Sequence, residues 1–138
     1  MKVKYLITII LTINSFLFFS QDSLWKKSFE NNDFSIDSKI DEIINRDLDT
    51  LRFISFSLTN KKNYELKESI NFKLQYDEGC YGCNGENEET KRNLLLKANQ
   101  KLIGNPINQT NPELYFIIFN SKFKSQWHFK SFEIELLD

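Results

Sequence analysis

Apolar and polar residues alternate most regularly between Tyr64 and Tyr76. Every even position there except Glu68 is apolar, and every odd position is polar. A period of two puts one face in a core and the other in water, which predicts a half-buried strand. Ile54, Phe56 and Leu58 alternate in the same way with Phe53, Ser55 and Ser57. With the polar turn Asn60–Asn63 between them, the two runs predict a β-hairpin over Arg52–Tyr76. Glu68 interrupts the inner face, either as a bulge or as a buried acid with a raised pKa.

Two other stretches carry a helical period. Ile40, Ile43, Ile44, Leu48 and Leu51 recur at i, i+3, i+4, i+8 and i+11, which predicts a helix over Asp37–Leu51. Ser38 with Asp41 resembles a capping box. Asp37, Asp41, Glu42, Asp47 and Asp49 then read as a solvated helix face and not as metal ligands. A second helix is expected over Glu86–Ile103, with Leu94, Leu95, Ala98 and Leu102 as its apolar stripe. Glu86, Glu88 and Glu89 start it, Lys97 and Lys101 lie towards its end, Gly104 offers a left-handed cap and Pro106 stops it. After a loop at Asn105–Pro112, Leu114–Phe119 (LYFIIF) is apolar on both faces, as a central strand would be. In the last strand, Phe123, Trp127 and Phe129 share one phase while Phe132, Ile134 and Leu136 share the other. The slip near Lys130–Ser131 implies a bulge or bend. Gln21–Phe34 has the least pattern, and Trp25 is expected to be a core plug or flap and not a ligand platform.

Helix, two strands, helix, two strands predicts an α+β fold: a four- to five-stranded, mainly antiparallel sheet with two helices packed on one face. A β-sandwich with a helical insertion is the alternative. The N-terminus stands apart from this pattern. Lys2 and Lys4 precede a mostly apolar stretch, Tyr5–Phe19, and Ser20 is a small residue at a plausible cleavage point, as in a signal peptide. Residues 1–20 are therefore expected to be removed on export, leaving residues 21–138 as one domain of a secreted or periplasmic protein with no stable membrane insertion. The net charge of −1 becomes more negative when the two lysines leave, and the lack of a basic excess argues against nucleic acid as a partner. Asn108-Gln109-Thr110 fits the N-glycosylation pattern, which matters only in a eukaryotic secretory pathway.

The chain has two cysteines, Cys80 and Cys83, spaced C-x-x-C among three of its four glycines. An oxidising compartment favours a structural disulfide between them. Closing so short a loop removes little chain entropy, so the bridge would pin a turn. A metal site would need further ligands, and His128, the only histidine, lies in the polar phase of its strand. Strand, Cys80-Tyr81-Gly82-Cys83 and helix, followed later by Pro112 ahead of a strand, resembles the thioredoxin-like oxidoreductases. That resemblance implies Cys80 as the attacking thiol and Cys83 as the resolving one. The chain departs from that family in spacing. Only Asn105–Asn111 separates helix from proline, and nothing helical follows Phe129.

No G-x-S-x-G elbow or Gly-rich phosphate loop is present, and one histidine must serve every His-dependent scheme. No catalytic residue, cofactor or metal is assigned. Two functions remain: a non-enzymatic exported module that binds another protein, a glycan or the cell envelope, and a thiol–disulfide oxidoreductase acting through Cys80 and Cys83.

Overall fold

The computed structural model describes residues 24–84, 88–123 and 127–137. The expected signal segment, the start of the second expected helix and part of the stretch before the last strand lie outside these residues. The described residues form two antiparallel sheets. The first contains β1 (Lys26–Glu30), β2 (Phe34–Ile44), β3 (Thr50–Asn60), β7 (Lys101–Ile103) and β8 (Tyr115–Asn120). β2 pairs along the whole of β3, so the opposite edge of β3 is shared: β7 takes Ser57–Thr59 and β8 takes Leu51–Ser55. The second sheet is built on β4 (Leu66–Tyr76). β9 (Phe129–Leu137) lies along one edge, and β5 (Gly79–Tyr81) and β6 (Lys91–Leu96) share the other.

The sheets meet through aromatic rings. Phe56 of β3 lies 4.4 Å from Phe72 of β4 and 5.2 Å from Phe132 of β9, centroid to centroid. Phe116 of β8 reaches Phe72 at 5.5 Å. Around them pack Phe34, Ile36, Ile54, Leu58, Ile70 and Leu96, all fully buried. This is a β-sandwich, in which two sheets each bury one face against the other.

The α+β expectation is overturned, because both expected helices are strands and turns. The helical insertion of the alternative is likewise absent among the described residues, whose only helical pieces are the 3₁₀ turns Glu88–Thr90 and Pro112–Leu114. A helix over Asp37–Leu51 would have buried Ile44 and Leu48, which are 68% and 82% exposed. The phase that governs is instead Phe34, Ile36 and Ser38, all buried on alternate positions of β2. β-branched isoleucines suit a pleated strand. Ser38 caps nothing; its hydroxyl lies 2.6 Å from that of Ser28 on β1. The strand ends at Asn45, whose Oδ1 accepts from the backbone N–H groups of Asp47 and Asp49, both at 2.9 Å. Such a local side-chain bond competes with any helix, and Leu48 takes φ 63° to complete the turn into β3.

In the second stretch, Leu94 and Leu96 are buried against β4 while Leu95 between them is half exposed. The three leucines thus follow period two. Asn99, at φ 55°, supplies the left-handed residue of the turn into β7. Gly104 is no helix cap; its φ is not left-handed, and a Cβ there would overlap the Leu114 carbonyl.

The expected hairpin is corrected in pairing. β3 and β4 occupy nearly the predicted spans, yet each lies in a different sheet, and Lys61–Glu65 crosses between them. Leu114–Phe119 does form a strand, but at a sheet edge, with Ile118 stepped over in the register against Arg52 and Phe53. In β9 the register steps over Lys130, where the apolar phase slips.

Glu68 carries no bulge, since its pairing with Leu94 continues the β4–β6 ladder. Its partly buried carboxyl faces inward, and burial, aided by the charge of Asp33, pushes its pKa up. An acid with a raised folded pKa favours the fold when protonated, so this contribution is lost as pH rises from the unfolded value. Glu68→Gln is therefore expected to be more stable than the parent at pH 7 and to lose that advantage near pH 4. Urea denaturation at both pH values checks this. Asp77 and Glu135, whose pKa values are lowered, tilt both proteins the opposite way and cancel in the difference.

Candidate binding groove

Sheet edges built from apolar residues leave a seam where the sandwich is open. Along one wall runs β8. Opposite it stand Tyr76 at the end of β4, Tyr81 of β5 and Trp127 just before β9. Two adjoining cavities of about 380 and 370 Å³ occupy the seam and share Tyr76, Ile117 and Trp127. The first continues past Phe119 to Phe123, and the second reaches Leu74, Tyr81 and Phe116. Among the described residues no charged side chain lines either cavity. Ile117, Phe123 and Trp127 are 57%, 61% and 48% exposed, a concentration of large apolar groups that a lone surface residue does not explain.

Local chemistry holds the Trp127 wall in place. The Asp77 backbone N–H donates to the His128 carbonyl at 3.0 Å, and the His128 N–H returns a bond to the Asp77 carboxylate at 2.9 Å. The other carboxylate oxygen lies 2.8 Å from His128 Nδ1. The His128 backbone N–H, and then its ring, hold the Asp77 carboxyl below the usual range. This pair staples the chain entering β9 to the turn leaving β4, and sets Trp127 edge-on to Tyr76 at 6.0 Å. Burial raises the Tyr76 phenol pKa, so the ring stays neutral. On the opposite wall Arg92 donates from Nε to the Glu113 carbonyl at 2.8 Å and lies over the Phe116 ring at 5.2 Å.

Cys80 and Cys83 form a disulfide, with 5.7 Å between their Cα atoms. Cys80 lies on β5 opposite Gln75, next to Tyr81, which pairs with Leu74 and lines the groove. The bridge therefore backs the strand that presents Tyr81. The loop is pinned further by buried polar groups. Asn71 Nδ2 donates to the Gly82 carbonyl at 2.9 Å, and the Thr90 hydroxyl donates to Asn71 Oδ1 at 2.8 Å. Gly82 has φ 86°, and a Cβ there would lie 2.8 Å from the Phe72 carbonyl oxygen, so glycine is required. The thioredoxin-like comparison needed a helix N-terminus at the cysteines to lower a thiol pKa. Cys80 is instead in a strand, and Glu88–Thr90 is a single 3₁₀ turn.

The remaining singled-out residues are scattered. His128 is exposed, as its phase implied. Asp41 pairs with Lys39 at 2.8 Å, and Glu42 lies 3.7 Å from Arg52. Among the described residues no three His, Cys, Asp or Glu side chains gather as metal ligands. Of the two roles expected of Trp25, it is no core plug; it lies half-buried on the outer face of the first sheet under Lys39, as a flap would. Sequence reasoning missed the groove because its walls come from separate segments. The available signal was LYFIIF, whose second apolar face serves the seam.

Comparison with family models, curated proteins and solved structures finds no match to this chain.

Proposed function

We propose that this protein is a non-enzymatic, exported binding module that takes an extended, uncharged, apolar segment of a partner protein in the groove between β8 and the Tyr76–Trp127 wall. The observation that carries the reading is a groove walled by a sheet edge and lined, among the described residues, with exposed aliphatic and aromatic side chains and no charged ones. Among the described strands β8 pairs with β3 alone, so an incoming strand can add to its outer edge through main-chain hydrogen bonds. Six residues of β8 span about 20 Å, enough for a peptide of similar length. Aromatic residues dominate such contacts because they bury much area with few rotatable bonds. A glycan fits this groove less well, since its many hydroxyls need convergent polar partners and the described lining offers only the Asn120 amide and the polar tips of Tyr76, Tyr81 and Trp127 among its apolar groups. Export rests on Lys2, Lys4 and the apolar stretch Tyr5–Phe19. The bonded, pinned cysteine loop supports a structural use of Cys80 and Cys83, with thiol exchange the less supported alternative.

A panel of eight-residue peptides, half rich in Val, Ile and Phe and half charged, tests the proposal on the mature chain. Binding is read by isothermal titration calorimetry for the parent and its variants alike, and the contact surface by amide hydrogen exchange. Apolar peptides are expected to bind in the micromolar range and protect the amides of Tyr115–Phe119. Ile117→Lys and Trp127→Ala are each expected to weaken binding at least tenfold. Failure of every apolar peptide to bind, or binding that leaves β8 unprotected, overturns the reading.

A further inference from the structure

The edge of a sheet offers unpaired N–H and C=O groups to any other chain, and charged residues on an edge strand are a common defence against such pairing. Most edges of this sandwich carry that defence. Lys27 lies on β1, Glu42 on the end of β2 that β1 leaves uncovered, Arg92 on β6, Lys101 on β7 and Glu133 on β9. Among the described edge strands only β8 and the three-residue β5 have no charged residue. The first five positions of β8 (Tyr115 to Phe119) are all apolar or aromatic. A register step at Ile118 bends the strand but puts no charge on its edge.

We infer that the segment this groove takes is β8 of a second copy of the chain, the two strands pairing antiparallel about a two-fold axis near Ile117. The inference rests on the groove being a site for an extended apolar strand, and it names the occupant. A two-fold contact joins a patch to itself, so any charge at its centre meets its own like. β8 has none to meet. Pairing about Ile117 sets Phe116 against Ile118 and Tyr115 against Phe119, apolar against apolar throughout. Charges do stand beyond the two ends of the strand, and they differ in sign. Glu113 lies just ahead of β8, and the exposed Lys122 lies just past it. Antiparallel pairing lays the start of one strand beside the end of the other, which brings Glu113 of each copy to Lys122 of the second. Phe123 and Trp127, 61% and 48% exposed beside the same edge, are then covered, as aromatic groups at the centre of an interface commonly are. Pairing closes both grooves at once, so self-association and capture of another apolar segment exclude each other.

The test is sedimentation velocity of the mature chain across the micromolar range, with amide hydrogen exchange at both ends of that range. The parent is expected to pass from monomer to dimer, with slower exchange at the Tyr115–Phe119 amides in the dimer. Ile117→Lys sets two like charges at the axis and should weaken the dimer at least tenfold, and the exposure of Ile117 lets the fold tolerate it. Ile44→Lys, the same change at an exposed isoleucine that does not line the groove, should leave the dimer unaltered. Lys122→Glu should weaken it roughly fivefold, as expected for two exposed ion pairs, and adding Glu113→Lys to the same chain should restore it. A chain that stays monomeric throughout, while apolar peptides still bind and protect β8, overturns the inference and leaves the reading of the groove standing. Peptides that fail to bind a monomeric chain overturn both. A dimer that Ile117→Lys does not weaken, that the double charge reversal does not restore, or whose protected amides lie outside β8 overturns the inference as well.

Discussion

Alanine in place of Phe56 is expected to lower the free energy of unfolding by about 3–5 kcal/mol, the range for truncating a buried phenylalanine. Phe56 is fully buried and its ring touches Phe72 and Phe132 of the opposite sheet as well as Phe116 of its own. Removing it opens a cavity between the layers, and neighbours held in two separate hydrogen-bonded sheets can collapse only partly into the gap. A domain with roughly 5–15 kcal/mol in hand would lose a large share of its stability. Ile44→Ala is the paired control. As a residue of a core-facing helix it would cost several kcal/mol; at the exposed end of β2 it should stay within about 0.5 kcal/mol. Guanidinium denaturation of the two variants separates the two-sheet arrangement from the helical one without a new structure.

That contrast shows what the amino-acid pattern determined and what it left open. The alternation from Tyr64 to Tyr76 identified β4, because facing a core is a local property of each side chain. Pairing is not local. Nothing in Arg52–Tyr76 distinguishes a hairpin from two strands that cross between sheets, and the short polar link Lys61–Glu65 serves either. Ile40, Ile43, Ile44, Leu48 and Leu51 fit a helical stripe by spacing alone. Tracing the phase back to Phe34 and Ile36, and weighing Asn45 as a turn former, would have favoured the strand. Leu94 and Leu95 joined a helical stripe because leucine suits a helix well, whereas burial selects Leu94 and Leu96. The slip at Lys130 was legible because it breaks a phase within one strand. At the candidate sites, the cysteine pair was visible from its spacing. The groove was not, since it is assembled from segments far apart in the chain.

The second large effect is expected at Asn60, the residue that ties the crossovers together. It is 2% exposed at the end of β3. Its Nδ2 donates to the carbonyls of Tyr64 at 2.8 Å and Lys97 at 2.9 Å, with that of Leu96 at 3.2 Å, and its Oδ1 accepts from the Lys62 N–H at 2.8 Å. One side chain thus fastens the β3–β4 crossing to the turn that returns the chain from β6 to β7. Asn60→Ala strands these backbone groups in a buried site and is expected to cost about 2–4 kcal/mol, since each unmet buried group costs about 1–3 kcal/mol. Asn60→Asp keeps the size and the Lys62 bond but turns an acceptor towards the carbonyls, so it should be the more damaging change at pH 7. Protonating that aspartate restores one donor, and its folded pKa is therefore raised above the unfolded value. The deficit of Asn60→Asp relative to the parent should shrink as pH falls through that window, while the deficit of Asn60→Ala stays level. Urea titrations of the parent and both variants at pH 7 and pH 4 measure this directly. Parallel deficits at the two pH values would show that Asn60 acts by filling space, whereas a narrowing for aspartate alone identifies its amide hydrogens as what holds the two sheets in register.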